Sequence, residues 1–483
     1  MKYKIIIFTK SPEKNFSKTR LLKYLGEDTV LSISEYLLNK TYNSCKDFDI
    51  SMHYLGNVDN LSAFPCEKIE QTGHDIGERM YNSIIKELAK GYEKVILIGS
   101  DFDNIPKSIF NEGFNYLDEH DVIIVPSNDG GFGLIGSKSP VKSLITTNYS
   151  SSNVVNSLTA SLDEEGLSYK IYNSLHDIDT IEDLISSITK SNNISIIGHG
   201  EYNLNFKYDN SVFRINLGSQ LGLGDKQIIY EYNTLKCLSG TNVVPKVYEC
   251  KVDNPLLPCG YLTMEFIDGR PLDYSTDMHI AARLLSTIHN APINSNHFFE
   301  YENPFQAMID ECTNLFNKYK NYSNKNQNLE YMVENLFKDL IPYCKNYKIS
   351  NKCIINTELN NKNFIINSNN SRIIDWEKAI IGEAEQDLGH FLSPTTTNWK
   401  TDVILTYKEI NNFLTSYKSY RDIDIDKVYL YIKFNILRGI CWCSMAKVEY
   451  DGVRQLKNSD TINKINEYLS PSYIEKLLKL FWR

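Results

Sequence analysis

The sequence predicts two fold classes in tandem: an α/β N-terminal domain on a mostly parallel sheet, then an α+β C-terminal domain. Three observations carry the prediction. Up to about residue 190, short apolar runs alternate with helical stretches, the pattern of strand–helix–strand units. Beyond residue 194, hairpin patterns come first and long amphipathic stretches follow. The polar stretch ITKSNNIS at 188–195 lies between them, which sets the expected domains at 1–190 and 194–483. A chain of 483 residues suits two or three domains.

The first domain opens on KIIIF (4–8), a buried-strand pattern. The loop after it, TKSPEKNFSKTRLL, carries Lys10, Lys14, Lys18 and Arg20. A loop there lies at the strands' carboxyl ends, where such sheets bind ligands, and its cationic collar suits a polyphosphate. Lys14 alone reads as a surface lysine. Lys18-Thr19-Arg20, at a helix start, reads as phosphate contact. ISMHYLG (50–56) is a second strand, and GHDIGERM, with Gly77 and Arg79, is a Gly-rich loop entering an amphipathic helix. VILIG ends at Asp101-Phe102-Asp103. Carboxylates so placed can share a Mg²⁺ or Mn²⁺ that bridges nucleotide phosphates. DVIIVPSNDGGFGLIGS gives a strand, an exposed Asp129-Gly130-Gly131 turn and another strand. Asp179-Thr180 reads first as the N-cap of IEDLISSI.

Together SKTRLL, GHDIGERM, VILIGSDFDNIP, NDGGFGLIG and HDIDTIEDL resemble a bacterial family of GT-A-type transferases. That family is related to nucleotidyltransferases and includes glycosyltransferases of arsenosugar biosynthesis. The likeness covers about 185 residues and implies a GT-A or Rossmann-like sheet. Where the family has Asp-Cys-Pro, this chain has Asp101-Phe102-Asp103, so Asp101 carries over and Asp103 is its own. The family's Asp-Gly-Gly turn falls on Asp129, Gly130 and Gly131. Its Asp-x-Asp-Thr, close to the metal, falls on Asp177 and Asp179. The expected set is Lys18 and Asp129 as catalytic groups and Asp101, Asp103 and Asp179 on the metal. Lys10, Arg20, Gly77, Arg79, Gly130 and Gly131 are expected around the nucleotide.

The second domain begins with IIGHGEYNLNFKYDNSVFRINLG, an antiparallel hairpin pattern with a Gly198-His199-Gly200 turn. Arg214 falls on its strand VFRI and Glu231 on the helix after it. IAARLLSTIHN (280–290) is an amphipathic helix whose His289 reads as structural. Residues 352–392 form the chemical centre. Apolar runs Cys353–Ile355, Phe364–Ile366 and Ile373-Ile374 predict strand–loop–strand–turn–strand, which gathers Glu358, Asn363 and Asp375 at one sheet edge. A carboxylate near a nucleophile orients it or takes its proton, and an Asn–Asp pair holds Mg²⁺ against phosphates.

This core resembles the aminoglycoside-phosphotransferase and choline-kinase family, which reads His-x-Asp, four residues, Asn, then a metal Asp with a tail like IDWE. Here Asn356 stands for the His and Glu358 for the catalytic Asp, while Asn363 and Asp375 match. Asp387 matches a later Asp that braces the loop. The resemblance implies a protein-kinase-like fold, with Glu358 as base and Asn363 and Asp375 on the metal. Arg214 would reach the ATP phosphates and pair with Glu231. The family builds its acceptor pocket from C-terminal helices, where Trp442 and Tyr431 are candidate contacts for a cationic acceptor.

Composition is that of ordinary globular material, 42% hydrophobic and 23% charged. The net charge of −9 is spread out, which argues against nucleic acid or an anionic membrane as partner. Ten cysteines without a CxxC indicate reduced thiols, and the N-terminal apolar run is too short for a signal peptide or span. The cytoplasm is the expected compartment, and homodimerisation is left open. A kinase makes a phosphomonoester, and a nucleotidyltransferase consumes one. The two resemblances therefore imply a bifunctional enzyme that phosphorylates a small metabolite and activates it as an NDP derivative for surface glycan or lipid decoration. Mg²⁺ or Mn²⁺ is the expected cofactor. CTP or another NTP would serve the first half, as in a cytidylyltransferase, and ATP or GTP the second. The alternative is a nucleotide-sugar-dependent glycosyltransferase joined to a kinase-like binding module.

Overall fold

The computed structural model describes residues 2–149, 153–200, 202–219, 221–452 and 459–482. They form two compact units: Met1–Ser219 with Cys250–Leu262, and Gln220–Glu249 with Thr263–Arg483.

In the first unit, β1 (Tyr3–Lys10) is followed by α1 (Glu27–Cys45), β2 (Ile50–Leu55), β3 (Glu67–Glu70), α2 (Ile76–Ala89) and β4 (Lys94–Gly99). Then come α3 (Ser108–Glu119), β5 (Val122–Pro126), β6 (Phe132–Ser137), α4 (Ser143–Thr146), α5 (Val154–Glu165), β7 (Tyr169–Ile171) and α6 (Ile181–Thr189). The seven strands lie in the order β3-β2-β1-β4-β6-β5-β7. All pair in parallel except β6, which is antiparallel to β4 and β5. This is the parallel-rich α/β sheet that the strand–helix alternation predicts. Side chains alternate across it: Ile5 and Ile7 join a core with Leu38, Phe110 and Phe114, and Ile6 joins Met80, Ile84, Leu158 and Leu162 on the opposite face.

The same unit continues through a meander of β8 (Ile194–His199), β9 (Asn203–Tyr208) and β10 (Ser211–Asn216). Leu204 and Phe206 of β9 and Phe213 and Ile215 of β10 pack in one core with Leu21, Val30, Ile33 and Leu37. Ile181, Leu184 and Ile185 of α6 and Leu257 and Tyr261 complete it. The core thus runs through the polar stretch at 188–195 without a break, and the compact unit ends at Ser219.

Further on come α7 (Gln227–Leu238), β11 (Val247–Lys251), β12 (Tyr261–Glu265), β13 (Arg270–Pro271), α8 (Met278–His289), β14 (Phe299–Glu300), α9 (Pro304–Lys320) and α10 (Gln327–Leu340). The predicted central hairpins are β15 (Lys352–Ile355), β16 (Phe364–Ile366), β17 (Arg372–Ile373) and β18 (Ile380–Glu383). Helices α11 (Ala384–Leu392), α12 (Pro394–Thr401), α13 (Tyr407–Lys418), α14 (Ile425–Asp451), α15 (Ser459–Tyr468) and α16 (Pro471–Phe481) finish the chain. Two small sheets, β13-β16-β17 and β14-β18-β15, hold the catalytic-loop candidates against these helices, the kinase-like α+β arrangement. Gly389 lets α11 lie directly on the backbone of α14, since a Cβ there would meet Tyr431. Among the described residues no helix is long and apolar enough to cross a membrane.

Candidate active sites

In the first unit a cavity of about 470 Å³ opens where β1 and β4 end, lined by Lys10, Lys18, Arg20, Arg79, Asp101 and Asp179 among others. Lys18 is its centre. Its side chain is 6% exposed, and its ammonium lies 2.8 Å from Asp101 Oδ1 and 3.0 Å from Asp179 Oδ1. It also donates to the Ile178 carbonyl at 2.6 Å. Burial alone would favour the neutral amine, but the two carboxylates override it and raise the Lys18 pKa. Burial likewise opposes ionisation of Asp179, and Lys18 followed by Arg20 holds its carboxyl below the usual range. Lys18 sits at φ 52, a left-handed position for a side-chain-bearing residue. Such strain is held where the surroundings fix it, here by the three contacts at the ammonium.

Beside this pair, burial and then the charges of Asp129 and Asp179 push the Asp177 carboxyl up to about 7. Its Oδ1 is buried without a hydrogen-bond partner. Two carboxylate oxygens already converge on one cationic point, and a third is starved of one. The Asp101 and Asp179 carboxylates are oxygen donors of the kind a hard divalent cation takes, and both are held here by the Lys18 ammonium. Among the described residues no group of three or more His, Cys, Asp or Glu side chains is placed to hold a metal ion.

Several expected residues lie elsewhere. Asp103 is not brought to the cavity, because its carboxylate accepts from Tyr36 of α1 and Ser187 of α6, each at 3.1 Å. Gly77 is a packing glycine, since a Cβ would run into the Leu144 carbonyl. Asp129 folds back on its own turn and accepts from Ser127 and from the Gly131 N–H. With Gly130 and Gly131 it stands outside the lining of the Lys18 cavity, although its charge reaches Asp177. Lys14 pairs with Asp28 at 2.5 Å, as a surface lysine does. The cap of α6 is Thr180, in a reciprocal box with Asp183, which leaves Asp179 to Lys18.

In the second unit Asp387 does the bracing. Its carboxylate accepts from the N–H groups of Asn356 at 2.9 Å and Thr357 at 2.8 Å, and it meets His289 Nε2 at 3.2 Å. His289 bonds Tyr417 on its other nitrogen, which makes it a structural link. So anchored, the loop turns through Thr357 at φ 74, a costly value for a β-branched residue. Glu358 then points at two cations. It pairs with Lys378, and Arg438 Nη2 of α14 lies 3.6 Å away. Burial would raise the Glu358 pKa, but Lys378 and then Arg438 hold it below the usual range. Asn363 accepts from the Asn360 N–H at 2.8 Å, and its amide reaches Asp375 Oδ2 at 3.4 Å. Asp375 sits at φ 68, with its carbonyl held by Asn356 Nδ2 at 2.7 Å. Asn356, at the place of the expected His, therefore ties the Glu358 loop to the Asp375 turn. The Asn363 amide nitrogen thus faces the Asp375 carboxylate, while the Asn363 amide oxygen is taken by the Asn360 N–H.

Arg214 is buried on β10 and donates to Asn205 at 3.2 Å. Glu231 is buried on α7 and accepts from the Trp376 N–H at 3.3 Å. Trp442, 37% exposed, lines a cavity of about 340 Å³ beside Glu358. Tyr431 does not line it; the residue is fully buried and its hydroxyl donates to Glu383 at 2.5 Å. Lys378 and Arg438 are site residues that sequence reading passes over. Lys378 carried a signal, as a lysine three residues after the metal Asp, whereas Arg438 lay on a helix read only as core.

Comparison with known proteins agrees with both halves. Residues 57–151 match the family described as "Uncharacterized protein conserved in bacteria (DUF2064)", and residues 197–422 match the phosphotransferase enzyme family. The chain is 30% identical over 190 residues to the 2-phospho-L-lactate guanylyltransferase of Methanocaldococcus vulcanius, covering 37% of this chain and 82% of that protein. A crystal structure assigned to a nucleotide-diphospho-sugar transferase of Desulfovibrio desulfuricans is 25% identical, with a TM-score of 0.38 over 40% of this chain and 89% of its own. Choline kinase of Streptococcus pneumoniae is 18% identical, with a TM-score of 0.42 over 61% of this chain and 98% of its own. The chain is a transferase in which a nucleotidyltransferase-like and a kinase-like phosphotransferase domain are fused. By its N-terminal part the chain belongs to the family of the 2-phospho-L-lactate guanylyltransferases.

Proposed function

We propose that this enzyme phosphorylates a small hydroxylated metabolite and then joins the phosphomonoester to a nucleotide. The observation that carries the reading is the fusion itself, because the product of one chemistry is the substrate of the other. In the first reaction the acceptor hydroxyl oxygen attacks the γ-phosphorus of ATP or GTP, the bond to the β-phosphate oxygen breaks, and a nucleoside diphosphate leaves. Glu358 takes the hydroxyl proton; its ionised state, held by Lys378 and Arg438, suits a base. In the second, an oxygen of the new phosphomonoester attacks the α-phosphorus of an NTP and pyrophosphate leaves. Lys18, Arg20, Lys10 and Arg79 line the cavity for the triphosphate. Mg²⁺, at Asp101–Asp179 and at Asn363–Asp375, would offset charge on the phosphates.

The product would be an NDP-activated precursor of the kind that feeds surface glycan or lipid decoration. The guanylyltransferase relative puts GTP beside CTP as the nucleotide to test first. The test is pyrophosphate release by the full chain given CTP, GTP, UTP or ATP with candidate phosphomonoesters. Release that requires both NTP and phosphomonoester is expected. Hydrolysis of a nucleotide sugar with no pyrophosphate from any pairing would overturn the reading in favour of glycosyl transfer.

A further inference from the structure

His390 stands in the last turn of α11 and lines the cavity of about 340 Å³ that Glu358 also lines. It lines a second cavity as well, of about 320 Å³, which holds Thr357 and Lys378 and shares Arg438 and Asn435 with the first. Spaces of this size lie at the small end for a ligand, so a guest that brings a hydroxyl to Glu358 meets His390 too.

The imidazole is held in one orientation. Asn435 of α14 donates from Nδ2 to the Tyr431 carbonyl at 2.9 Å, which leaves its Oδ1 as an acceptor. That oxygen lies 3.0 Å from His390 Nδ1, so Nδ1 carries a proton and donates it to the bond. Burial and then the charge of Arg438 keep the His390 pKa below the usual histidine value, and the ring stays neutral. Nε2, across the ring from Nδ1, is then a bare lone pair. Among the described residues no donor reaches it, and it is not sealed in the interior, so it opens on the cavities that His390 lines.

Hydrogen-bond arithmetic limits the guest. An attacking hydroxyl has one proton, and Glu358 takes it. Nε2 only accepts, so it needs a second donor on the same molecule. A cationic donor is disfavoured there. Arg438 Nε meets Glu311 at 3.0 and 3.1 Å, and its Nη2 lies 3.6 Å from Glu358. Both carboxylates that line the first cavity thus already face a fixed cation. We propose that His390 determines acceptor specificity in the kinase half, its Nε2 accepting a hydrogen bond from a second hydroxyl of the acceptor. The acceptor is a diol or polyol, and a quaternary ammonium alcohol, which has no second donor, is a poor one. Asn435 is the positioning residue that sets the ring. This rests on the phosphoryl-transfer reading of Glu358, and it deepens that reading by naming the substrate class.

The test compares ethylene glycol with its monomethyl ether, in which the second hydroxyl is capped, and with choline. The full chain is assayed for ADP with Mg²⁺ and ATP, and the chain isotope-labelled on its histidine nitrogens is titrated with each alcohol. The glycol is expected to show a kcat/KM about tenfold above the other two, the scale of one hydrogen bond, and to shift the His390 Nε2 resonance. His390→Asn keeps an amide N–H for Asn435 and removes Nε2. It should erase the preference by lowering kcat/KM for the glycol alone. His390→Gln, with an amide oxygen near the place of Nε2, should restore part of it, and melting curves check that both variants fold. Equal use of the glycol and its ether, a preference that survives His390→Asn, or an Nε2 resonance unmoved by the glycol would each overturn the proposal. An Nε2 shift with the glycol and no ADP from any alcohol would uphold the diol site and count against the kinase reading alone.

Discussion

Glu358 reaches Lys378 and Arg438 with a side chain one methylene longer than the Asp of the resembling kinases. Shortening it by roughly 1.3 Å withdraws the carboxylate from both cations. We expect Glu358→Asp to lower kcat by about two orders of magnitude, the scale of a 1 Å misplacement, with the KM for ATP little changed. Steady-state kinetics with a coupled ADP assay checks this, and an unchanged or faster rate counts against Glu358 as the base. Asp177 gives a second expectation. Its folded pKa of about 7 lies above that of an unfolded aspartate, so its contribution to stability is complete below about pH 4 and is lost as pH rises through 7. Asp177→Asn should therefore raise Tm near pH 8 and leave it unchanged near pH 4. Equal melting curves at both pH values would dispose of the assignment. At this scale the sequence was legible where a residue's place on the chain also fixes its partner. Asn363 and Asp375 meet because β16 and β17 pair directly between them. Asp103 was misread because the spacing shows a carboxylate at a strand end but not the hydroxyls of Tyr36 and Ser187 that capture it. Arg438, 80 residues from Glu358 by the numbering, was out of reach of any local pattern.

Elements were more legible than their partners. The apolar runs of β1, β4 and β5 read correctly as buried strands, and capping chemistry marked the start of α6. Alternation in β9 and β10 showed that each buries a face, but period alone does not say against what. The face meets α1 and α6, helices assigned by sequence to the other domain. A cut near Asn192 that looks harmless in a polar stretch would divide that core. We expect residues 194–483 expressed alone to aggregate through Leu204, Phe206, Phe213 and Ile215, and coexpression with residues 1–192 to restore solubility. Phe206→Ala in the intact chain should cost about 3–5 kcal/mol, as for a fully buried aromatic. Denaturant melts and fractionation of the two fragments decide the matter. Two separately soluble fragments with intact cooperative transitions would show that each half holds its own core.

For the whole molecule the order of the two reactions follows from the chemistry. Attack on the α-phosphorus of an NTP expels pyrophosphate, and a new P–O–P linkage forms only where the nucleophile is a phosphate oxygen, so in the proposed sequence phosphorylation comes first. The two sites then have separable defects. In a chain given acceptor, ATP and NTP, Asp375→Asn should stop both ADP formation and pyrophosphate release, and added phosphomonoester should restore the pyrophosphate. Asp101→Asn should stop pyrophosphate release whatever is added, while ADP forms and the phosphomonoester accumulates. The Asp101 carboxylate is 44% exposed at the end of β4, so its loss leaves the core of that sheet intact and the defect is chemical rather than structural. Chromatography of the acceptor-derived species, with ADP and pyrophosphate followed in parallel, distinguishes the patterns. Failure of the phosphomonoester to rescue Asp375→Asn would mean that the second site acts on something other than the product of the first, and the bifunctional sequence would have to be given up even with both domains active.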